Sequence, residues 1–158
     1  MTVVKKKRNP FKKYVRKKGP VTAKKVVYDG IQFLSGLEKT MYTALKTAGL
    51  FEKYEQESFI LLEGFKFSSS VTERQANGKG DYKERGNNKL QSITYKPDFT
   101  GVDYIIECKG RANDSFPLRW KMFKKWLIDN NDTRYIYKPQ TIKEVEETVK
   151  LILERKNK

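Results

Sequence analysis

Three short apolar runs crowded between turn residues, from Leu90 to Gly110, constrain this chain more than any other feature. Leu90–Tyr95, Asp98–Thr100 and Asp103–Cys108 each read as a strand, because runs of this length rich in Ile, Tyr and Thr suit a pleated, half-buried surface. Gly101 supplies a turn between the last two, and Lys109-Gly110 ends the third. Side chains alternate along a strand, so Glu107 and Lys109 point one way while Ile106 and Cys108 point the other. The turn at Gly101 can fold Asp98 back beside Glu107. The chain must build a sheet here, with acids gathered at an apolar strand end.

Helical signals surround these strands. Val26 to Phe33 reads as a short extended segment or a hairpin, with a turn at Asp29-Gly30. Ser35-Gly36-Leu37-Glu38 has the form of a capping box, and Leu37, Met41, Ala44, Leu45 and Ala48 recur at helical spacing until Gly49 stops them. Tyr54 to Leu62 reads as a strand. The polar stretch 64–89, with Gly78, Gly80, Gly86, Asn77, Asn87 and Asn88, predicts a long mobile loop or a hairpin with a floppy tip. A second helix starts at Asp114 or Ser115, carries Pro117 in its first turn, and shows one apolar stripe of Phe116, Trp120, Phe123 and Leu127 before Asn130-Asn131. Thr133 to Tyr137 predicts a strand. Thr141 to Glu144 opens a last helix whose buried face is Ile142, Val145, Val149 and Ile152. A length of 158 residues suits one domain, placed at 26–158 behind a basic arm.

Composition then restricts the chemistry. The chain has no histidine and a single cysteine, Cys108. A Cys/His zinc site, an internal disulfide and a Ser-His or Cys-His nucleophilic pair are thereby excluded. Carboxylates, lysine or a hard metal must carry any catalysis. Lys and Arg exceed Asp and Glu by 34 to 19, a net charge of +15 that calls for a polyanionic partner, nucleic acid first. Lys5, Lys6, Lys7, Arg8, Lys12, Lys13, Arg16, Lys17, Lys18, Lys24 and Lys25 all precede the first acid, Asp29. Residues 1–25 therefore read as a flexible arm, with Lys12, Lys13, Arg16, Lys17 and Lys18 contacting DNA phosphates. No apolar run approaches the roughly 18 residues of a membrane span, and the N-terminus lacks the apolar core of a signal peptide. The expectation is a cytoplasmic protein without a membrane partner.

Two carboxylates about 4 Å apart repel by roughly 4 kcal/mol at an effective dielectric of about 20, so folding alone does not reward placing Asp98 by Glu107. A divalent cation reverses that sign. Oxygen donors suit Mg²⁺ or Mn²⁺, and Lys109 stands within reach to orient or deprotonate water or to stabilise developing negative charge. The plain alternative is a surface ion pair between Glu107 and Lys109, worth about 0–1 kcal/mol.

Pro97-Asp98 followed by Glu107-x-Lys109 resembles the PD-(D/E)xK nuclease superfamily. With Phe33-Leu34-Ser35-Gly36-Leu37-Glu38 upstream, then Tyr95-Lys96-Pro97-Asp98-Phe99 and Ile106-Glu107-Cys108-Lys109-Gly110, the series over residues 28–127 is similar to phage endonuclease I and related phage Holliday-junction resolvases. The resemblance implies a restriction-endonuclease-like α/β core, a central mixed sheet flanked by helices. It implies Asp98 and Glu107 as metal ligands, Lys109 as the catalytic lysine, and Glu38 as an extra carboxylate from the first helix. It also implies a homodimer cutting branched DNA, in host cytoplasm if phage-encoded.

Glu38 equally suits the third position of its capping box. Gln56 or Glu57 could supply an outer ligand, and the Cys108 backbone carbonyl, rather than its sulfur, is a further candidate ligand for the metal. Arg119, Lys121, Lys124 and Lys125 load the second helix with charge for DNA contact, while Trp120 and Trp126 could stack on bases at a junction, although their spacing favours the core. The basic arm and the 64–89 insertion depart from a compact resolvase. A catalytically idle DNA-binding protein on the same fold, or another nuclease of the superfamily of restriction or nicking type, are the alternatives.

Overall fold

A computed structural model of the chain describes residues 23–157 other than Glu52 and Ala76. Lys12, Lys13, Arg16, Lys17 and Lys18, and with them most of the basic arm, lie outside the described residues. Asp29 and Gly30, at φ 56° and 74°, close a two-residue turn between β1 (Val26–Tyr28) and β2 (Ile31–Phe33). Positive φ at both positions gives a turn whose twist matches that of the paired strands, which is why Asp-Gly suits it. Ser35 then caps α1 (Gly36–Thr47), which buries Met41, Tyr42 and Leu45.

The strand expected over Tyr54–Leu62 is two strands. β3 (Lys53–Tyr54) ends where Glu55 adopts φ 47°, and the redirected chain resumes as β4 (Phe59–Leu62) in another ladder. Residues 64–89 form a hairpin: β5 (Phe65–Phe67) pairs β8 (Asn88–Leu90), and β6 (Thr72–Glu73) pairs β7 (Lys83–Glu84). β9 (Ile93–Tyr95) pairs β4. β10 (Phe99–Thr100) and β11 (Tyr104–Ile106) flank the Gly101 turn, where the Gly101 N–H meets the Tyr104 carbonyl at 2.9 Å. α2 (Phe116–Asp129), β12 (Tyr135–Tyr137) and α3 (Ile142–Lys156) follow.

The principal sheet is mixed, in the order β12-β11-β10-β3, with β11 parallel to β12 and its other pairs antiparallel. Alternation along β11 divides the core. Tyr104 and Ile106 pack with Phe33, Met41 and Leu45 from the α1 side and with Val145 and Ile152 of α3. Ile105 packs with Phe59, Tyr95, Phe116, Phe123 and Leu127, the cluster that seats α2. The fold is therefore mixed α/β, with its central strand apolar on both sides. Two expectations about the helices change. Ser35 and Thr141 do cap their helices, but at α2 it is the Asn113 side chain that receives the Phe116 N–H, at 3.0 Å. On α3, Ile142 is exposed and Thr148 is buried in its place, bonding back to the Glu144 carbonyl.

Tyr104 crosses the core to donate its hydroxyl to the Leu50 carbonyl at 2.5 Å. Tyr104→Phe leaves that buried carbonyl short of a donor, so urea denaturation should show a loss of about 1 kcal/mol. Among the described residues no helix is long and apolar enough to cross a membrane.

Candidate active site

The register of the central hairpin builds the site. Phe99 pairs with Ile106 and Thr100 with Ile105, and one further step of that ladder sets Asp98 opposite Glu107. The Asp98 carboxylate accepts the Cys108 backbone N–H at 2.6 Å, tying the two strand ends together. Beyond β11 the backbone stays pinned to its parallel neighbour: the Glu107 N–H meets the Tyr137 carbonyl and the Lys109 N–H the Pro139 carbonyl, each at 3.0 Å. The expected alternation therefore persists through Lys109.

Both acids are buried, Asp98 to 9% exposure and Glu107 to 6%. Burial, which penalises the charged form, is the main cause holding the Asp98 carboxyl well above the usual range. The charges of Glu107 and Glu38 add to it, while the Cys108 N–H and the Lys109 ammonium only partly oppose it. Glu107 is raised as well, again chiefly by burial, with Tyr95 and Lys109 pulling against the rise.

Lys109 Nζ stands 3.7 Å from Glu107 Oε1, an ion pair too long for a strong hydrogen bond. It also lies 4.8 Å from the centre of the Phe116 ring, whose face attracts a cation. The lysine is thus held between a carboxylate and the first turn of α2. Tyr95, buried to 4% exposure, has a hydroxyl that meets no hydrogen-bond partner in good geometry among the described residues. Burial first, and the Glu107 charge second, push that phenol up, so the hydroxyl lies near the acid without bonding to it in good geometry.

This donor set suits a hard divalent cation. Mg²⁺ keeps several waters and needs only one or two protein carboxylates, and the pair that repels when ionised alone is stabilised around a dication. Among the described residues no three His, Cys, Asp or Glu side chains meet as a ready-made ligand cluster, so a cation held here would draw on the Asp98–Glu107 pair and otherwise on backbone or solvent oxygens. The orphaned Tyr95 hydroxyl is a further polar atom at that place. Cys108 turns its thiol into the α1 and α3 core, where burial pushes it up. A thiol kept protonated is no ligand for a hard cation, which leaves its carbonyl as the candidate.

Glu38 is close enough for its charge to act on Asp98, yet its oxygens are engaged elsewhere. One accepts the Leu34 N–H and the Tyr54 hydroxyl, each at 2.8 Å, and the other accepts the Ser35 hydroxyl at 2.7 Å. The Glu38 N–H returns to Ser35 Oγ at 3.2 Å, closing the capping box. Glu38→Ala should lower stability by about 1 kcal/mol in denaturant titrations, the usual cost of a lost cap. Neither outer-ligand candidate joins the pair: Glu57 is bound by Arg134 at 2.9 Å, and Gln56 is exposed between β3 and β4.

The α2 cations are exposed, as expected of phosphate contacts, but differ in their ties. Arg119 donates to the Thr94 carbonyl, Lys125 pairs with Asp129, and Lys124 lies 5.6 Å above the Trp120 ring, whereas Lys121 points to solvent. Trp120 stacks on Phe116 and Trp126 meets Phe59 edge-on, so both tryptophans belong to the core. Tyr95 and Phe116 border the acids and the lysine without any motif in the sequence to mark them. The signal for Tyr95 was its inward register on a strand leading straight to Asp98.

A family model described as "Protein of unknown function (DUF1064)" matches residues 17–144, a span that holds Glu38, Asp98, Glu107 and Lys109. No curated protein and no solved structure matches the chain. With most of its length covered by that match, including the buried acid pair and its lysine, this chain belongs to the DUF1064 family.

Proposed function

We propose that the protein is a metal-dependent DNA endonuclease that hydrolyses phosphodiester bonds, acting on branched DNA as a homodimer in the manner of a phage junction resolvase. The observation that carries this reading is the burial, side by side, of Asp98 and Glu107 at a strand end with Lys109 against them. Mg²⁺ or Mn²⁺, when bound there, supplies a Lewis acid for the phosphate and lowers the pKa of water. Asp98 and Glu107 hold the site's negative charge in place, fixed by the Cys108 N–H and the strand register. Lys109 presents its ammonium on the same side as Glu107, where it orients the attacking water or offsets charge gathering on the phosphate oxygens. Hydrolysis forms a new P–O bond from water and breaks the bond to the 3′ oxygen, which takes up a proton, leaving a 5′-phosphate and a 3′-hydroxyl. The net charge of +15 supplies affinity for the backbone.

The test uses the full chain with four-way junction, flap and linear duplex DNA in Mg²⁺ or Mn²⁺. Wild type should cut the junction and Glu107→Gln should not. Equal cutting by the two proteins removes this site from the reaction. Salt-sensitive binding without scission of any substrate in either metal would point instead to a DNA-binding protein on an idle nuclease fold. Preference for linear duplex would point to a restriction or nicking type.

A further inference from the structure

The ribbon of β5 to β8 is exposed along nearly its whole length, on both faces. An isolated two-stranded hairpin is marginal in water, so a ribbon that buries so little contributes little to folding. Its polar structure is nonetheless well ordered internally. Arg74 bonds the Gly80 carbonyl at 2.8 Å, Arg85 bonds the carbonyls of Glu73 and Asp81, and the Glu84 carboxylate takes the N–H groups of Val71 and Gly86. The tip is therefore cross-braced through its own backbone.

At the root of the ribbon the arrangement is different. Lys66 and Lys89 sit directly opposite each other in the ladder, both exposed. Like charges directly opposite on a sheet are destabilising. Among the described residues neither lysine forms an ion pair, and the acids of the ribbon, Glu73, Asp81 and Glu84, all lie toward the tip. Glu63, exposed just before the first strand of the ribbon, is the acid at the root, and among the described residues it forms no ion pair with either lysine, so both ammonium groups are open to an anion from outside the chain. The root also leads straight to the acid pair, since β9 follows β8 after two residues and ends at Tyr95, three residues before Asp98. Arg119 of α2 grips this connection at the Thr94 carbonyl.

We propose that this ribbon is the DNA-docking element of the protein, lying in a groove of a duplex arm with Lys66 and Lys89 against its phosphates. The inference rests on the nuclease reading for the identity of the partner, but not on catalysis. A two-stranded ribbon fits the major groove, which is about 12 Å wide, and a lysine on each strand can meet phosphate from either edge of the ribbon. Phosphate contacts fix the register of a protein on DNA, so this docking would set which bond reaches Asp98 and Glu107.

The experiment measures binding of the full chain to a fluorescent four-way junction and to linear duplex in EDTA, where no cutting occurs, over a series of salt concentrations. Each phosphate contact adds about 0.9 to the slope of log affinity against log salt. Lys66→Gln/Lys89→Gln should lower that slope by about two and weaken binding near 0.1 M salt by on the order of tenfold to a hundredfold. The same variant should melt no lower than wild type, because a repulsive pair has been removed. The Mn²⁺-induced rise in melting temperature should be unchanged, which shows the acid site intact. An unchanged slope and affinity overturn the ribbon's role while leaving the nuclease reading standing. Failure of wild type to bind either DNA overturns both. Weaker binding accompanied by a lower melting temperature overturns the docking role in favour of a structural one.

Discussion

Asp98→Asn should reduce metal-dependent DNA cleavage by about a thousandfold, measured as single-turnover rates on junction DNA in Mg²⁺. The lost charge at the site costs about 4 kcal/mol in the transition state, at about 1.4 kcal/mol per tenfold in rate. The substitution is close to isosteric, and the amide oxygen can still accept the Cys108 N–H now held by the carboxylate. DNA binding in EDTA should therefore persist at wild-type strength. Retention of even a tenth of the cutting rate would show that Asp98 stands outside the chemistry.

The same variant should be more stable than wild type in EDTA, and the gain should grow with pH. Asp98 is a buried acid whose carboxyl is pushed up in the fold, by burial first and then by Glu107 and Glu38. Below the unfolded pKa of about 3.9 both states carry the proton, and the group brings no penalty. As pH rises past that value the unfolded chain ionises while the fold still holds its proton, so stability falls until the folded pKa is passed. This is the reverse of Asp132, whose carboxyl is lowered by its hydrogen bonds to Arg134 and whose contribution disappears as pH falls. Comparing Asp98→Asn with wild type isolates the first effect from the second. Near pH 8 the variant should gain about 2 kcal/mol, the order expected when an uncompensated buried charge is removed without change of shape, or about 4–8 °C in melting temperature for a domain of this size. Near pH 4 the two proteins should melt together. Mn²⁺ should raise the wild-type melting temperature and leave the variant unmoved. A variant that melts lower than wild type at pH 8 in EDTA would show that the carboxylate is stabilising as it stands.

The parts of the fold that were legible from sequence are those where local chemistry and tertiary structure agree. Asp29-Gly30 demands a tight turn, Ser35 and Glu38 a helix start, and Gly101 a hairpin whose register places Asp98 against Glu107. The strand expected over Tyr54–Leu62 failed at one residue, Glu55, whose positive φ has no sequence signature of the kind that glycine or asparagine gives. Ile142 was misplaced because helical spacing marks a stripe but not where the neighbouring surface ends. Within the site, the acids and lysine were visible as a spaced motif. Tyr95 and Phe116 were not, because an aromatic residue in an apolar run looks the same whether it fills the core or borders a charge. The competition between two roles for Glu38 needed coordinates, which show three donors converging on its carboxylate.

The parallel pairing of β11 with β12 has one more effect. Its hydrogen bonds run on past both strands, so that Glu107 and Lys109 are clasped by the segment Tyr137–Pro139 rather than carried on the loop that follows. The acid and the lysine thereby take their stiffness from the middle of the sheet. A change of conformation confined to residues 110–115 would therefore leave the alignment of Glu107 and Lys109 as it is.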